Sequence, residues 1–169
     1  KANNGSLSLD LLKPDLGPLR LKERGVTHAV IAAAVSGIAK CEEDPVSTRK
    51  VNVHGTVELA RQLCGVGIKV IAFSSDYVFD GEKREGYLEN DEPSPIQNYG
   101  ISKLMGEQEV EKVGGQYYII RLQKLFGRPA QSASAKKSFF EIMLMSAQTK
   151  LSLAEAKKEL EVVDEELAN

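Results

Sequence analysis

The sequence predicts an α/β fold in which helices join the strands of a parallel sheet. Three observations carry that expectation. Short runs rich in strand formers recur at residues 27–34, 69–75 and 116–122, and stretches of helical periodicity fall between them at 51–64 and 96–113. Glycines close those stretches, at Gly65 and Gly67 and again at Gly114 and Gly115. Strands that alternate with helices of this length argue for βαβ units, and βαβ units for a parallel sheet.

Taken in order, residues 19–24 read as the end of a helix closed by Gly25, and 27–34 as a buried strand. Over 51–64 the apolar residues Val53, Val57, Ala60 and Leu63 or Cys64 share one helical face. The next strand, 69–75, puts Ser75 at a carboxyl strand end, where open α/β sheets bind ligands. Pro93 and Pro95 suit the entry to a helix over 96–113, and 116–122 makes the third strand. Beyond Gly127 the character changes: 128–137 is rich in Ala, Ser and Lys and reads as a loop, and 139–147 as an amphipathic helix. Residues 151–160 continue as helix or form a solvated connection, and 161–164 could start another strand.

With 169 residues and 42% hydrophobic content, the chain can bury a core and reads as one soluble domain or most of one. Its 22 basic and 24 acidic side chains leave a net charge of −2, which makes no electrostatic case for nucleic acid or an anionic membrane. The longest apolar stretch, around 29–34, is far short of a spanning helix, and no signal-peptide pattern opens the chain, so the expected setting is cytoplasmic. Cys41, Cys64 and the two histidines, His28 and His54, lack ligand spacing; no metal site is expected, and neither histidine is given a role.

The chemistry concentrates in Ser74-Ser75-Asp76-Tyr77-Val78-Phe79-Asp80-Gly81 and in Tyr99-Gly100-Ile101-Ser102-Lys103. Tyr99 and Lys103 are four residues apart, so on a helix they project from one face. An ammonium beside a phenol favours the phenolate, which would turn Tyr99 into a usable proton donor and acceptor. Ser75 would hydrogen-bond the reacting carbonyl or hydroxyl.

At these residues the chain resembles the extended short-chain dehydrogenase/reductases, whose catalytic Ser/Thr, Tyr and Lys follow this order. The Asp76 to Gly81 run is similar to the dTDP-4-dehydrorhamnose reductase branch, with Gly106-Glu107 following the lysine. The resemblance implies a Rossmann-like, doubly wound parallel sheet, NADP(H) or NAD(H) as cofactor, and reduction of a nucleotide-linked 4-keto sugar. It makes Ser75, Tyr99 and Lys103 catalytic. It assigns Asp10, Ala32, Ala33, Ala34, Asn52, Ser74, Tyr99 and Lys103 to the cofactor, and Ser36, Ile38, Asp76, Tyr77 and Lys124 to the sugar. Asn52 matches a family asparagine that supports the lysine. The resemblance leaves a homodimer open. Two other functions stay open on the same fold: a non-catalytic regulatory protein resembling the methionine adenosyltransferase β subunit, and a sugar-nucleotide epimerase.

Two departures stand out. The family's Gly-x-x-Gly-x-x-Gly turn, which brings a pyrophosphate to a helix N-terminus, is absent, and the first residues resemble the segment after the family's second strand. The sheet is therefore expected to be incomplete at its N-terminus, with 1–127 a partial NAD(P)-binding domain and 128–169 the start of a smaller substrate-binding region. A chain of this extent is expected to bind NADPH poorly, to expose apolar sheet surface, and to be of doubtful activity by itself. The second departure is Lys124, which replaces an aromatic residue of the rhamnose reductases and changes which sugar would pack there.

Overall fold

A computed structural model of the chain describes residues 8–125 and 144–145. The chain divides into two compact units, Lys1–Gln123 and Lys124–Asn169. In the first, three parallel strands, β1 (His28–Ile31), β2 (Lys69–Ser75) and β3 (Tyr117–Leu122), lie in the order β1-β2-β3. Their connections carry α1 (Ile38–Glu43), α2 (Pro45–Arg49), a π turn over Lys50–Gly55, α3 (Thr56–Gly65) and α4 (Asn98–Val113).

β2 forms as its composition dictates, since β-branched and aromatic residues suit a pleated surface. Its neighbours fix the register: Val70 stands opposite Ala29 and Tyr117, and Ser74 opposite Arg121. Alternation along the strand sends Val70, Ala72 and Ser74 to one face, where they are buried. On that face α3 and α4 supply Val57, Ala60, Leu63 and Val110 to the core. Removing a side chain such as Val70 or Val110 from water stabilises by roughly 1.5–3 kcal/mol each.

Both helices cover the same face because each strand is added on the same side of the last, and crossovers of one hand then fall on one side of the sheet. The opposite face is bare among the described residues: Val30, Tyr118 and Ile120 are 56%, 57% and 40% exposed. Helices on both faces were the sequence expectation for a doubly wound sheet; the described residues show one covered face.

Other boundaries also differ from the sequence reading. Residues 19–24 form no α-helix; Pro14 and Pro18 confine the segment to a 3-10 turn at Gly17–Leu19 followed by further turns, with Gly25 at φ +68°. The first strand ends at Ile31 and only Ile31 is buried, so Ala32, Ala33 and Ala34 lie in an exposed loop beyond it. Residues 51–64 are not one α-helix, because Lys50–Gly55 winds as a π turn before α3 begins. The helix of Tyr99 starts at Asn98, and Pro93 and Pro95 belong to the extended lead-in.

In the second unit Leu144 and Met145 are helical; the remainder of the helix expected over 139–147, and the segments 128–137, 151–160 and 161–164, lie outside the described residues.

Candidate active site

The strand end at Ser75 turns sharply into a 3-10 turn, Asp76–Val78. Ser75 Oγ donates to Asp76 Oδ1 (2.9 Å) and accepts the Tyr77 amide (3.3 Å), and Asp76 Oδ1 accepts the same amide (3.0 Å). The hydroxyl is thus held in place by the backbone that follows it. Beyond it, Phe79 stacks on Tyr87 with centroids 4.2 Å apart, and Tyr87 donates to Asp80, so the chain from 79 to 87 closes on itself.

α4 brings up the other two side chains. Its first turn is fixed by Glu42 of α1, which accepts from the Asn98 amide (2.7 Å) and from Asn98 Nδ2 (2.6 Å). Gly100 lets the helix settle onto the backbone of Tyr77. The Tyr99 ring then meets Tyr77 edge to face, with centroids 5.8 Å apart and planes at 71°. The Tyr99 phenol is half-buried there, close enough to the Ser75 hydroxyl for that group to act on its titration. The three sequence candidates for catalysis therefore converge, Tyr99 against Tyr77 two residues after Ser75, and Lys103 one turn along the same helix on Phe73 two residues before it.

The electrostatics differ from the sequence expectation. Burial lifts the Tyr99 phenol above its ordinary value; the Ser75 hydroxyl opposes this, and Cys41, Asp76 and Tyr77 add to it. The Lys103 ammonium, expected to depress the phenol, donates instead to the Phe73 carbonyl. Burial lowers its own pKa, with Glu107 opposing. Tyr99 is thereby held as a neutral phenol, the proton-donating form.

Asn52, at 1% exposure, sits in the π turn and bonds both ways to one residue of the loop after β1: its Oδ1 accepts from the Val35 amide (2.8 Å) and its Nδ2 donates to the Val35 carbonyl (2.9 Å). Nδ2 also donates to Ser102 Oγ (3.0 Å), which donates to the Tyr99 carbonyl (2.7 Å). The Ala32 to Val35 loop and the helix of Tyr99 are thus tied through two side chains. Ser36 is exposed in that loop, and Ile38 opens α1 at 37% exposure.

Other candidates are dispersed. Ser74 is buried on the helix-covered face, and its Oγ has no partner. Asp10 is exposed, its Oδ1 accepting from the Leu12 amide (2.9 Å). Lys124 is exposed and belongs to the second unit. The sequence reading missed Ser102 and the pairing of Glu107 with Arg121, although Tyr99, Lys103 and Glu107 recur at a spacing of four that gives one helix face. Among the described residues no group of three or more His, Cys, Asp or Glu could hold a metal ion, and no helix is long and apolar enough to cross a membrane.

With this geometry in view, the family model described as "RmlD substrate binding domain" matches residues 6–168. The chain belongs to that family. It is 36% identical over 138 residues to a dTDP-4-dehydrorhamnose reductase of Sinorhizobium fredii, covering 82% of this chain and 42% of the relative. The crystal structure of a dTDP-4-dehydrorhamnose reductase from Bacillus anthracis in complex with NADP superposes with a TM-score of 0.73 at 28% identity, covering 83% of this chain and 48% of that one. These matches identify the fold as Rossmann-like. Methionine adenosyltransferase 2 subunit beta of Rattus norvegicus is 37% identical over 86 residues, 51% of this chain and 25% of its own. The chain spans less than half the length of these relatives.

Proposed function

We propose that this RmlD-family chain carries the proton-transfer site of an NADP(H)- or NAD(H)-dependent reductase acting on a nucleotide-linked 4-keto sugar of the dTDP-4-dehydrorhamnose class. The observation that carries the reading is the convergence of Ser75, at the carboxyl end of β2, with Tyr99 and Lys103 from one face of α4, the Tyr99 ring seated on Tyr77 and the Lys103 ammonium on the Phe73 carbonyl. A nicotinamide cofactor, when bound, supplies the hydride. Tyr99 delivers the proton to the ketone oxygen, Ser75 hydrogen-bonds that oxygen, and Lys103 holds the cofactor ribose.

The residues present fit such a cofactor. Ala32, Ala33 and Ala34 offer only methyl groups in an exposed loop past a parallel strand end, the usual place for a dinucleotide in open α/β sheets. Lys103 has three N–H donors, and the Phe73 carbonyl takes one. Asn52 holds the loop, Asp10 is given to the adenosine end, and Ser74 is assigned to the cofactor through the sequence resemblance. Ser36, Ile38, Asp76 and Tyr77 are assigned to the sugar; Lys124 enters through the sequence resemblance alone. Residues 1–127 are read as the cofactor-binding part and 128–169 as the start of the substrate-binding part. The free cysteines Cys41 and Cys64 suit a reducing cytoplasm. A homodimer belongs to the same reading, and sedimentation measures it.

The test is turnover by the intact protein that contains this chain. With NADPH and dTDP-4-dehydrorhamnose, loss of absorbance at the reduced nicotinamide band together with formation of the reduced sugar is the expected result. Dinucleotide binding without turnover of any nucleotide-linked keto sugar would overturn the reading and favour a regulatory protein.

A further inference from the structure

We infer that Arg121 is a positioning residue for the reduction: by pairing with Glu107 it withholds that carboxylate from Lys103 and leaves the lysine ammonium on the Phe73 carbonyl. This deepens the function proposed above and rests on it.

Lys103 and Glu107 are four residues apart on α4, the spacing at which opposite charges on a helix pair. They also border one small cavity of about 10 Å³, large enough for about one water molecule. A buried carboxylate this close to a lysine is its natural partner, yet each makes its hydrogen bonds elsewhere. Lys103 donates to the Phe73 carbonyl. Glu107, 8% exposed, accepts from Arg121 through both oxygens: Nε to Oε1 at 3.1 Å, Nε to Oε2 at 3.2 Å, and Nη2 to Oε2 at 2.7 Å.

The competition is decided by geometry that the sheet imposes. Arg121 stands opposite Ser74 in the register, so its side chain leaves the face that α4 covers and arrives at Glu107. It is held from the other side as well, with its guanidinium 5.1 Å from the Phe79 ring centroid and Nη1 3.5 Å from the Glu89 carbonyl. A fixed planar fork matches the two carboxylate oxygens in geometry, which a compact ammonium does less well. The order of charges adds to this, because a lysine N-terminal to its glutamate is the weaker helical arrangement. Phe73 precedes Ser74 and Ser75, so the Lys103 contact fastens the helix of Tyr99 to the strand that ends in Ser75.

In the intact protein, Arg121→Gln should leave Glu107 with Lys103 as its nearest cation and draw the ammonium off Phe73. NADPH affinity should fall by about tenfold or more, the scale of a lost charged hydrogen bond, with turnover falling as well. Adding Glu107→Gln to that variant removes the competitor and should restore the NADPH Kd to within roughly threefold of wild type, read by titration on the folded fraction. Arg121→Lys, which keeps a cation beside Glu107, should show a smaller loss in the same direction and serves if Arg121→Gln does not fold. A double variant no better than Arg121→Gln overturns the inference, as does an Arg121→Gln protein with wild-type affinity or, where that variant does not fold, an Arg121→Lys loss that Glu107→Gln fails to relieve. Lys103→Met separates this from the parent reading: if it binds and turns over like wild type, the site assignment itself fails. If it loses both while the Arg121 variants behave as wild type, only the role of Arg121 fails.

Discussion

Gly100 lies directly beneath the carbonyl of Tyr77: a Cβ at position 100 would stand 2.0 Å from that oxygen. No side-chain rotation relieves a clash with backbone, so the helix that carries Tyr99 has to lift. Gly100→Ala is expected to lower turnover at least about tenfold, since small misplacements of reacting groups are costly. It should also destabilise the fold by about 1–3 kcal/mol, the usual scale of overpacking. Steady-state kinetics and urea unfolding measure the two effects.

Tyr99→Phe removes the proton and keeps the ring contact with Tyr77. Turnover should drop by roughly 10²–10⁴-fold, the range for loss of a general acid, with NADPH affinity little changed. Unchanged turnover would take the phenol out of the chemistry.

The titration of Lys103 sets a direction for pH dependence. Burial lowers its pKa, so the folded protein releases this proton more readily than the unfolded chain does, and cofactor binding that needs the ammonium is complete below the folded value. NADPH affinity should therefore weaken as pH rises, at a lower pH than the ordinary lysine value of about 10.4 would give. The Tyr99 phenol, shifted the other way, stays protonated across that limb. Titrations from neutral to alkaline pH, with Lys103→Arg moving the limb upward, check the assignment.

Asn52→Ala deletes the side chain that satisfies both backbone groups of Val35. The Val35 amide then loses its partner and the carbonyl keeps only the Cys41 thiol (3.7 Å), at a cost of roughly 1–3 kcal/mol, and the urea midpoint should fall accordingly. Because the same amide also holds Ser102, slower turnover is expected along with the loss of stability.

Much of this was legible in the chain. The strand over 69–75 and the four-residue spacing of Tyr99 and Lys103 are local patterns, and local patterns survive folding. What sequence could not supply was tertiary. Burial, which no spacing reports, reverses the expected effect on the Tyr99 phenol. The π turn at Lys50–Gly55 hides behind a periodicity that looks like an ordinary helix. Arg121 looked like one more strand residue until register set it opposite Ser74 and aimed it at Glu107.

The π turn works as a phase shifter. An α-helix advances about 100° per residue, so one wide turn rotates everything after it relative to everything before. Thr48 of α2 and Val57 of α3 can both face inward while Asn52, between them, points at Val35. Deleting a single residue from Lys50–Gly55 would swing the amide of Asn52 away from that loop by about a quarter turn. The length of this stretch is therefore constrained to the residue, independently of which side chains fill it.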